Sequence, residues 1–482
     1  MNVKTKPSRL LYVVPDFFPS ASGYAHACEN FIYAVADLGY EVLILSFKPA
    51  ELPTPHDNIA IKSILRSSRD EMKTIFKEQL GSNWDALIIE TFENSDVCNW
   101  LIDTLNIPLV STAVRIHAAT ETEIYASTPN EYYSRMFDEA KCLASKVPNI
   151  WSTTKYYIDF FKDQYGLTQV EGYLKRYSII PNIPDKRKKE LLPEPSAHII
   201  DILSKNNKNK TLFALGRMSE QGVSQKNFRT LLDAIAIAQD ELKKLGSKVL
   251  IIGDGELRRS LEIQARSINI SDLVLFVSKL SHEDILHLTR ISHAGILIST
   301  YEGHSMFSVE CLSNGLPLLF SEKTGIAEYI EHGKTGVSVD PNDPFSVAEG
   351  LIEITRGEHN KDSIKSQYLQ KFGQEITISK CKFIIDQLAS RSKYPKAIVF
   401  GTGGYLNKVI EKINRNFNIV AFADNSLEKQ GDSLFGAPII APSHIHSIDH
   451  DLVILASSAT ESIKAQLLEL KIHEENIIKL DM

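Results

Sequence analysis

The stretch YEGHSMFSVECLSNGLPLLFSEKTGIAEYI, residues 301–330, decides the reading of this chain. It follows an apolar, strand-like run, AGILIST (294–300), and sets Glu302 and Glu310 eight residues apart. Glu302 falls in a glycine-containing turn. Glu310 falls on a helix predicted from the spacing of Met306, Val309 and Leu312. Ser305 suits the N-cap of that helix, and the first N–H groups, near Met306 and Phe307, have no partner inside it and attract a phosphate. Two carboxylates around such a terminus fit a ligand that offers sugar hydroxyls, a diphosphate and ribose hydroxyls in turn. A solvated helix face is the alternative for Glu310, and the apolar stripe beside it weighs against that.

Outward from this stretch, strand and helix patterns alternate along the chain, as in parallel sheets covered by helices. RLLYVV (9–14), EVLILSF (41–47), DALIIE (85–90) and PLVSTAV (108–114) read as strands of one sheet, with a helix over AHACENFIYAVADLG (25–39). TLFALG (211–216), KVLIIG (248–253), LVLFV (273–277), AGILIST and PLLFS (317–321) read as a second. KAIVF (396–400), NIVAFADNS (418–426) and DLVILASSA (451–459) read as a third, smaller one. The expected fold is α/β: two facing Rossmann-like doubly wound domains plus a small C-terminal Rossmann-like domain. The expected boundaries are an N-terminal, acceptor-side domain over 1–184, a linker over 185–210, a donor-side domain over 211–390 and an accessory domain over 394–482. Ligand belongs at the carboxyl ends of the strands.

A chain of 482 residues exceeds one ordinary core, and 43% apolar with 23% charged residues describes a globular protein. A net charge of −7 argues against wholesale nucleic-acid binding. The basic run Lys186, Arg187, Lys188 and Lys189 leaves room for peripheral contact with an anionic membrane, and a solvated linker weighs more. Five scattered cysteines without a Cys-x-x-Cys pair fit reduced thiols, hence a cytoplasmic setting. No apolar run is long enough to span a bilayer, and the N-terminal one is too short for a signal-peptide core.

The motifs of the second sheet, in order, resemble the nucleotide-binding half of retaining glycosyltransferases of the GT-B fold, most closely glycosyltransferase family 4. The resemblance covers roughly residues 9–390. In GRMSEQGVSQKNFRTLLDAI (216–235), it implies that Gly216 admits close approach and that Arg217 and Lys226 hold the donor diphosphate. The lysine stands further from the arginine than is usual there, so 218–225 reads as an insertion. In IIGDGELRRSLE (251–262), Gly253 and Gly255 resemble the Gly-x-Gly turn beside the nucleotide, and Val277 and Lys279 the base cradle. Glu302 would bond donor-sugar hydroxyls and Glu310 the ribose. Gly303 and His304 would permit close backbone approach, with His304 tuning donor choice. In SGYAHACENF (22–31), Gly23 resembles the opening glycine loop. In RIHAATETE (115–123), His117 would touch the donor sugar and stabilise charge at the reacting carbon, with Arg115 as an acceptor-side cation. Glu93 is a further cleft candidate.

The resemblance implies a bacterial enzyme moving a hexose from a nucleotide-sugar, UDP-linked by expectation, to a glycan, lipid-linked or protein acceptor with retention of configuration. No cofactor is implied, since the nucleotide-sugar is substrate, and no metal. Asp449-His450-Asp451 reads as a turn, and the ligand frame of His444, His446 and His450 is poor for an ion. The competing readings are a nucleotide-sugar epimerase or phosphorylase and a non-catalytic sugar-nucleotide sensor. The C-terminal segment resembles small Rossmann-like domains attached to bacterial glycan-biosynthesis proteins. Gly401, Gly403, Gly404 and Asp424 suggest a nucleotide, and docking or oligomerisation through this domain is an equal alternative.

Overall fold

The computed structural model describes residues 8–15, 17–20, 23–81, 83–90, 94–105, 107–116, 131–165, 169–170, 173–174, 176–184, 195–197, 199–200, 210–390, 395–435 and 437–479. His117, Glu93 and the basic run 186–189 lie outside the described residues. The chain forms two compact units: residues 1–153, 157–180 and 378–482 make the first, and residues 154–156 and 181–377 the second.

The first unit holds two sheets. One has seven parallel strands in the order 59–63, 41–46, 9–14, 86–90, 112–116, 149–152, 176–179. The near-continuous apolar runs of its central strands match burial on both faces. The other sheet is smaller and mixed, ordered 433–434, 437–440, 418–423, 396–400, 452–455, 477–479, with only the 433–434 strand antiparallel. The two sheets meet where Ser433 Oγ donates to Tyr177 O at 3.0 Å, and Phe383 of the helix Gln374–Ser390 packs on Phe435 beside the small sheet, ring centroids 4.3 Å apart.

Arg115 is a correction to the sequence reading. It is an interior residue of this unit and not an acceptor-side cation, because strand Thr112–Ile116 lies between two parallel neighbours and is buried on both faces. It is fully buried. Arg115 Nη1 donates to Glu90 Oε1 at 2.6 Å, Tyr12 Oη donates to the same oxygen, and the guanidinium lies 4.3 Å over the Phe31 ring. Burial pushes the Glu90 carboxyl above its usual value, and Arg115 opposes that shift.

The second unit is one six-stranded parallel sheet, ordered 274–277, 247–252, 210–215, 294–297, 318–321, 336–339. Helices cover both faces. Phe228–Lys244 and Pro344–Arg356 pack on one core, and Met306–Ser313 sits in the other. Strand order reverses beside Lys210–Leu215, so the loops after 215 and after 297 flank the switch point, where open parallel sheets take ligands. Among the described residues no cysteine forms a disulfide, and no helix is long and apolar enough to cross a membrane.

The buried pair sets a stability test. Arg115→Met should destabilise the first unit by roughly 3–5 kcal/mol, because it strands a buried carboxylate, and adding Glu90→Leu should recover most of that loss. All three tryptophans, Trp84, Trp100 and Trp151, lie in this unit, so denaturant titration followed by tryptophan fluorescence reads it selectively. A double variant no more stable than Arg115→Met would contradict the pairing.

Candidate functional site

Three loops converge at the carboxyl edge of the second sheet. The first runs from strand Lys210–Leu215 through Gly216 and Arg217 into a short helix, Glu220–Lys226, capped by Ser219, whose side chain accepts the Gly222 N–H. Asn227 ends that helix in the left-handed region at φ 58°, and Phe228 begins the next. Most of the stretch 218–225 is therefore helix, and it delivers Lys226 to the loop after strand Ala294–Leu297. There Lys226 Nζ pairs with Glu302 Oε2, and Ser299 Oγ donates to the same oxygen at 3.3 Å. The loop is pinned on both sides: Thr300 N donates to Gln225 O at 2.9 Å, and Gly325 N donates to Glu302 O at 2.8 Å. Arg217 is exposed, and among the described residues it has no ion-pair partner.

The second loop is the Gly-x-Gly turn. Gly253 has φ +150°, and a Cβ there would meet Gly216 O at 2.0 Å; at Gly255, with φ +156°, it would meet the Met218 carbonyl carbon at 2.4 Å. These glycines let two backbones touch, and Met218 N donates to Asp254 O at 2.9 Å across the contact. Arg258 ties the turn to the next strand, donating from Nη1 to Asp254 Oδ1 at 2.7 Å and to Ser278 Oγ at 2.9 Å. The Lys279 N–H, donating to Asp254 Oδ2 at 2.8 Å, and then Arg258 hold the Asp254 carboxyl below the usual range. Val277 is buried in the core.

The third loop carries the helix Met306–Ser313. Ser305 caps it, its hydroxyl accepting the Ser308 N–H at 3.1 Å, which leaves the N–H groups of Met306 and Phe307 without a helical acceptor. Every residue of this helix except Glu310 is buried, so the expected stripe is in fact a whole surface. Met306 and Phe307 therefore present backbone, with Phe307 packed edge-on against Phe213 at 5.2 Å. Glu310 lies at the margin, and His282 Nε2 donates to Glu310 Oε1 at 2.7 Å. His282 was not legible as a site residue: Ser281 and Asp284 mark a helix start, and nothing local points to a partner 28 residues on.

His304 belongs to an aromatic cluster. It is 2% exposed and stacks on Tyr329 at 4.1 Å. Its Nδ1 accepts the Asn182 N–H at 3.0 Å, so Nε2 carries the ring proton and faces Tyr368 Oη at 3.0 Å. Asn182 Nδ2 also donates to His304 O. Burial depresses the His304 pKa to about 3, which keeps the ring neutral. Gly303 is buried beside it. Gly23 opens the helix Gly23–Asp37 of the first unit, where a Cβ would meet nothing within 4 Å. In the small sheet, Asp424 accepts from the Thr402 N–H at 3.0 Å, the Thr402 hydroxyl, the Ser426 N–H at 2.9 Å and Lys429 Nζ at 3.3 Å. Burial would raise its pKa, and these donors hold it below the usual value. Asp449 pairs with Lys396 in the turn before strand Leu452–Leu455.

The α/β architecture, two parallel Rossmann-like sheets plus a small mixed one, is of the GT-B type. Residues 196–373 match the family model described as glycosyl transferases group 1, and residues 393–478 match one described as C2185-like, N-terminal. Over 153 residues the chain is 26% identical to N-acetyl-alpha-D-glucosaminyl L-malate synthase of Bacillus anthracis, covering 30% of this chain and 40% of that protein. Over 124 residues it is 34% identical to glycogen synthase of Mycobacterium tuberculosis, covering 25% of this chain and 30% of that protein. The matched segment thus spans less than half the length of these relatives. Sucrose-phosphate synthase from Thermosynechococcus elongatus superposes with a TM-score of 0.59 at 14% identity, over 79% of this chain and 99% of that one. Anabaena HepE, solved in complex with UDP-glucose, does so with a TM-score of 0.59 at 15% identity, over 78% of this chain and 98% of that one.

The depressed His304 makes an acid-stability prediction. From pH 6.5 downward the unfolded imidazole gains a proton, while the native ring stays neutral until about pH 3. Stability falls progressively across that window, by about 2 kcal/mol on reaching pH 5. Hydrogen-exchange protection of amides in 306–321, corrected for intrinsic rates, should drop less between pH 7 and pH 5 in His304→Gln than in the native chain. Equal drops would show that His304 does not carry the effect.

Proposed function

We propose that this chain is a retaining, metal-independent glycosyltransferase of the family 4 kind, moving a hexose from a UDP-sugar to a hydroxyl of a glycan, lipid-linked or protein acceptor. The observation that carries the reading is the carboxyl edge of the second sheet. There an exposed Arg217, the Lys226–Glu302 pair, the Ser305-capped helix start and Glu310 all follow strand ends at or beside the switch point. Arg217, Lys226 and the N–H groups of Met306 and Phe307 would hold the diphosphate. Glu302 would accept from sugar hydroxyls, sharing Lys226 with the phosphate, and Glu310 from the ribose. Gly216, Gly253 and Gly255 keep the backbone low beneath the nucleotide.

In this reading the bond from the anomeric carbon to the diphosphate oxygen breaks. The acceptor oxygen bonds that carbon on the same face, and its proton passes to the departing phosphate. No protein nucleophile is required. The countercharge supplied by Arg217, Lys226 and the helix start lowers the barrier as charge grows on the leaving group. His117, which follows strand Thr112–Ile116 in the sequence, remains a proposed donor-sugar contact. The segment 393–478 is assigned no chemistry of its own.

Purified protein incubated with a panel of nucleotide sugars should release UDP only when an acceptor extract is present. Donor conversion without acceptor would indicate an epimerase, and binding without turnover a sensor. Arg217→Ala should lower turnover about a hundredfold by removing leaving-group stabilisation. A rate within a few-fold of native would remove that role. Glu310→Ala should weaken UDP binding by about ten- to a hundredfold in calorimetry, as hydrogen bonds to a charged acceptor are lost. Unchanged affinity would take the ribose contact away from Glu310.

A further inference from the structure

At the opposite edge of the second sheet, where strands Lys210–Leu215 and Ala294–Leu297 begin, lies a cavity of about 360 Å³ lined by Lys210, Ser292, His293, His359 and Lys361 among others. The bonds of its four basic side chains run to main-chain carbonyls. Lys210 Nζ donates to Thr355 O at 2.7 Å. Lys361 Nζ donates to Arg290 O at 2.7 Å and to Ser292 O at 3.2 Å. His293 Nε2 and His359 Nε2 both donate to Ile354 O, at 3.1 and 2.9 Å, with ring centroids 5.8 Å apart. Gly357 makes this convergence feasible, since a Cβ there would meet His359 Nε2 at 2.7 Å. A carbonyl only accepts, so both rings carry the Nε2 proton and keep Nδ1 for a second one.

Among the described residues none of the four has a carboxylate partner. Carbonyl oxygens offer partial charge, so basic groups crowd a half-buried space without a full countercharge. Burial first, then Lys210 and His359, hold His293 below its usual value, and burial lowers Lys361. Ser292 supplies an independent sign. The residue is 2% exposed, and its hydroxyl has no hydrogen-bond partner among the described residues. Such a group is costly unless something meets it.

We propose that this cavity binds a small phosphate-class oxyanion, either inorganic phosphate or the phosphate group of a phosphorylated metabolite, at a site separate from the nucleotide-sugar edge. The donors are compact point charges set around a space, with no guanidinium fork for a planar carboxylate. That arrangement suits a tetrahedral anion with several acceptor oxygens. An imidazole that gains its second proton beside the anion becomes a further donor.

The test uses the full chain with selectively ¹³C-labelled histidine, the His293 and His359 ring signals being assigned from His→Gln variants. Titration with inorganic phosphate, and separately with glucose 6-phosphate, should shift those two signals saturably in the native chain and in Arg217→Ala. Much tighter saturation by glucose 6-phosphate would identify a phosphorylated metabolite as the occupant, and equal saturation inorganic phosphate. Lys361→Met should weaken binding by about tenfold or more, as a charge-assisted contact is lost; Lys210→Gln serves if that variant does not fold. No saturable shift at millimolar probe, shifts that vanish in Arg217→Ala, or shifts unweakened by both lysine variants would each overturn the proposal.

Discussion

A charged group that loses water must find a partner, and that constraint organises this chain from its cores to its edges. Glu90 and Arg115 are fully buried and meet it through each other, with Tyr12 donating to the same Glu90 oxygen. The same chemistry takes another form at the carboxyl edge of the second sheet. Glu302 and Glu310 are only mostly buried, at 14% and 12% side-chain exposure, and among the described residues each pairs with a basic side chain, Lys226 and His282 respectively. Pairs at such a margin keep carboxylate oxygens within reach of solvent and hence of a hydroxylated ligand. The interior pair fixes the fold, and the marginal pairs hold chemistry in readiness.

Backbone contact is the second determinant. Gly253 and Gly255 press against the carbonyls of Gly216 and Met218 at distances no Cβ would permit. This contact draws the turn after strand Ser247–Ile252 onto the loop after strand Lys210–Leu215 and leaves Arg217 outward. Arg258 then locks the turn through Asp254 and Ser278. The glycines thereby shape the backbone from which Arg217 and Lys226 project.

Much of this was legible in the sequence, for identifiable reasons. Apolar runs of four to six residues bounded by glycine and polar turns located the central strands of both large sheets, because buried parallel strands need few polar positions, whereas the edge strands 59–63 and 336–339, with polar or glycine positions, were not read. Ser305 announced its helix because capping is a local interaction. What escaped was non-local. The stretch 218–225 gave no hint that Ser219 and Asn227 would bound a helix bringing Lys226 to Glu302. Arg115 looked like a cleft cation because a strand end says nothing about which way its side chain points until the register with Glu90 is known. His304 stood in a motif that suggested ligand contact, whereas Asn182 and Tyr368, 122 and 64 residues away, hold its ring.

The two edges of the second sheet show how position selects chemistry. At the carboxyl edge, loops after the strands bring Lys226 to Glu302 and His282 to Glu310, so the basic groups face acids within the protein. At the amino edge, Lys210, His293, His359 and Lys361 bond main-chain carbonyls and, among the described residues, no carboxylate. An anion reaching Lys226 must compete with Glu302, which favours a ligand that also brings hydroxyls for the glutamate to accept. An anion reaching the amino edge displaces no carboxylate and needs no hydroxyls. The first arrangement discriminates by the whole shape of the ligand, and the second responds to negative charge itself.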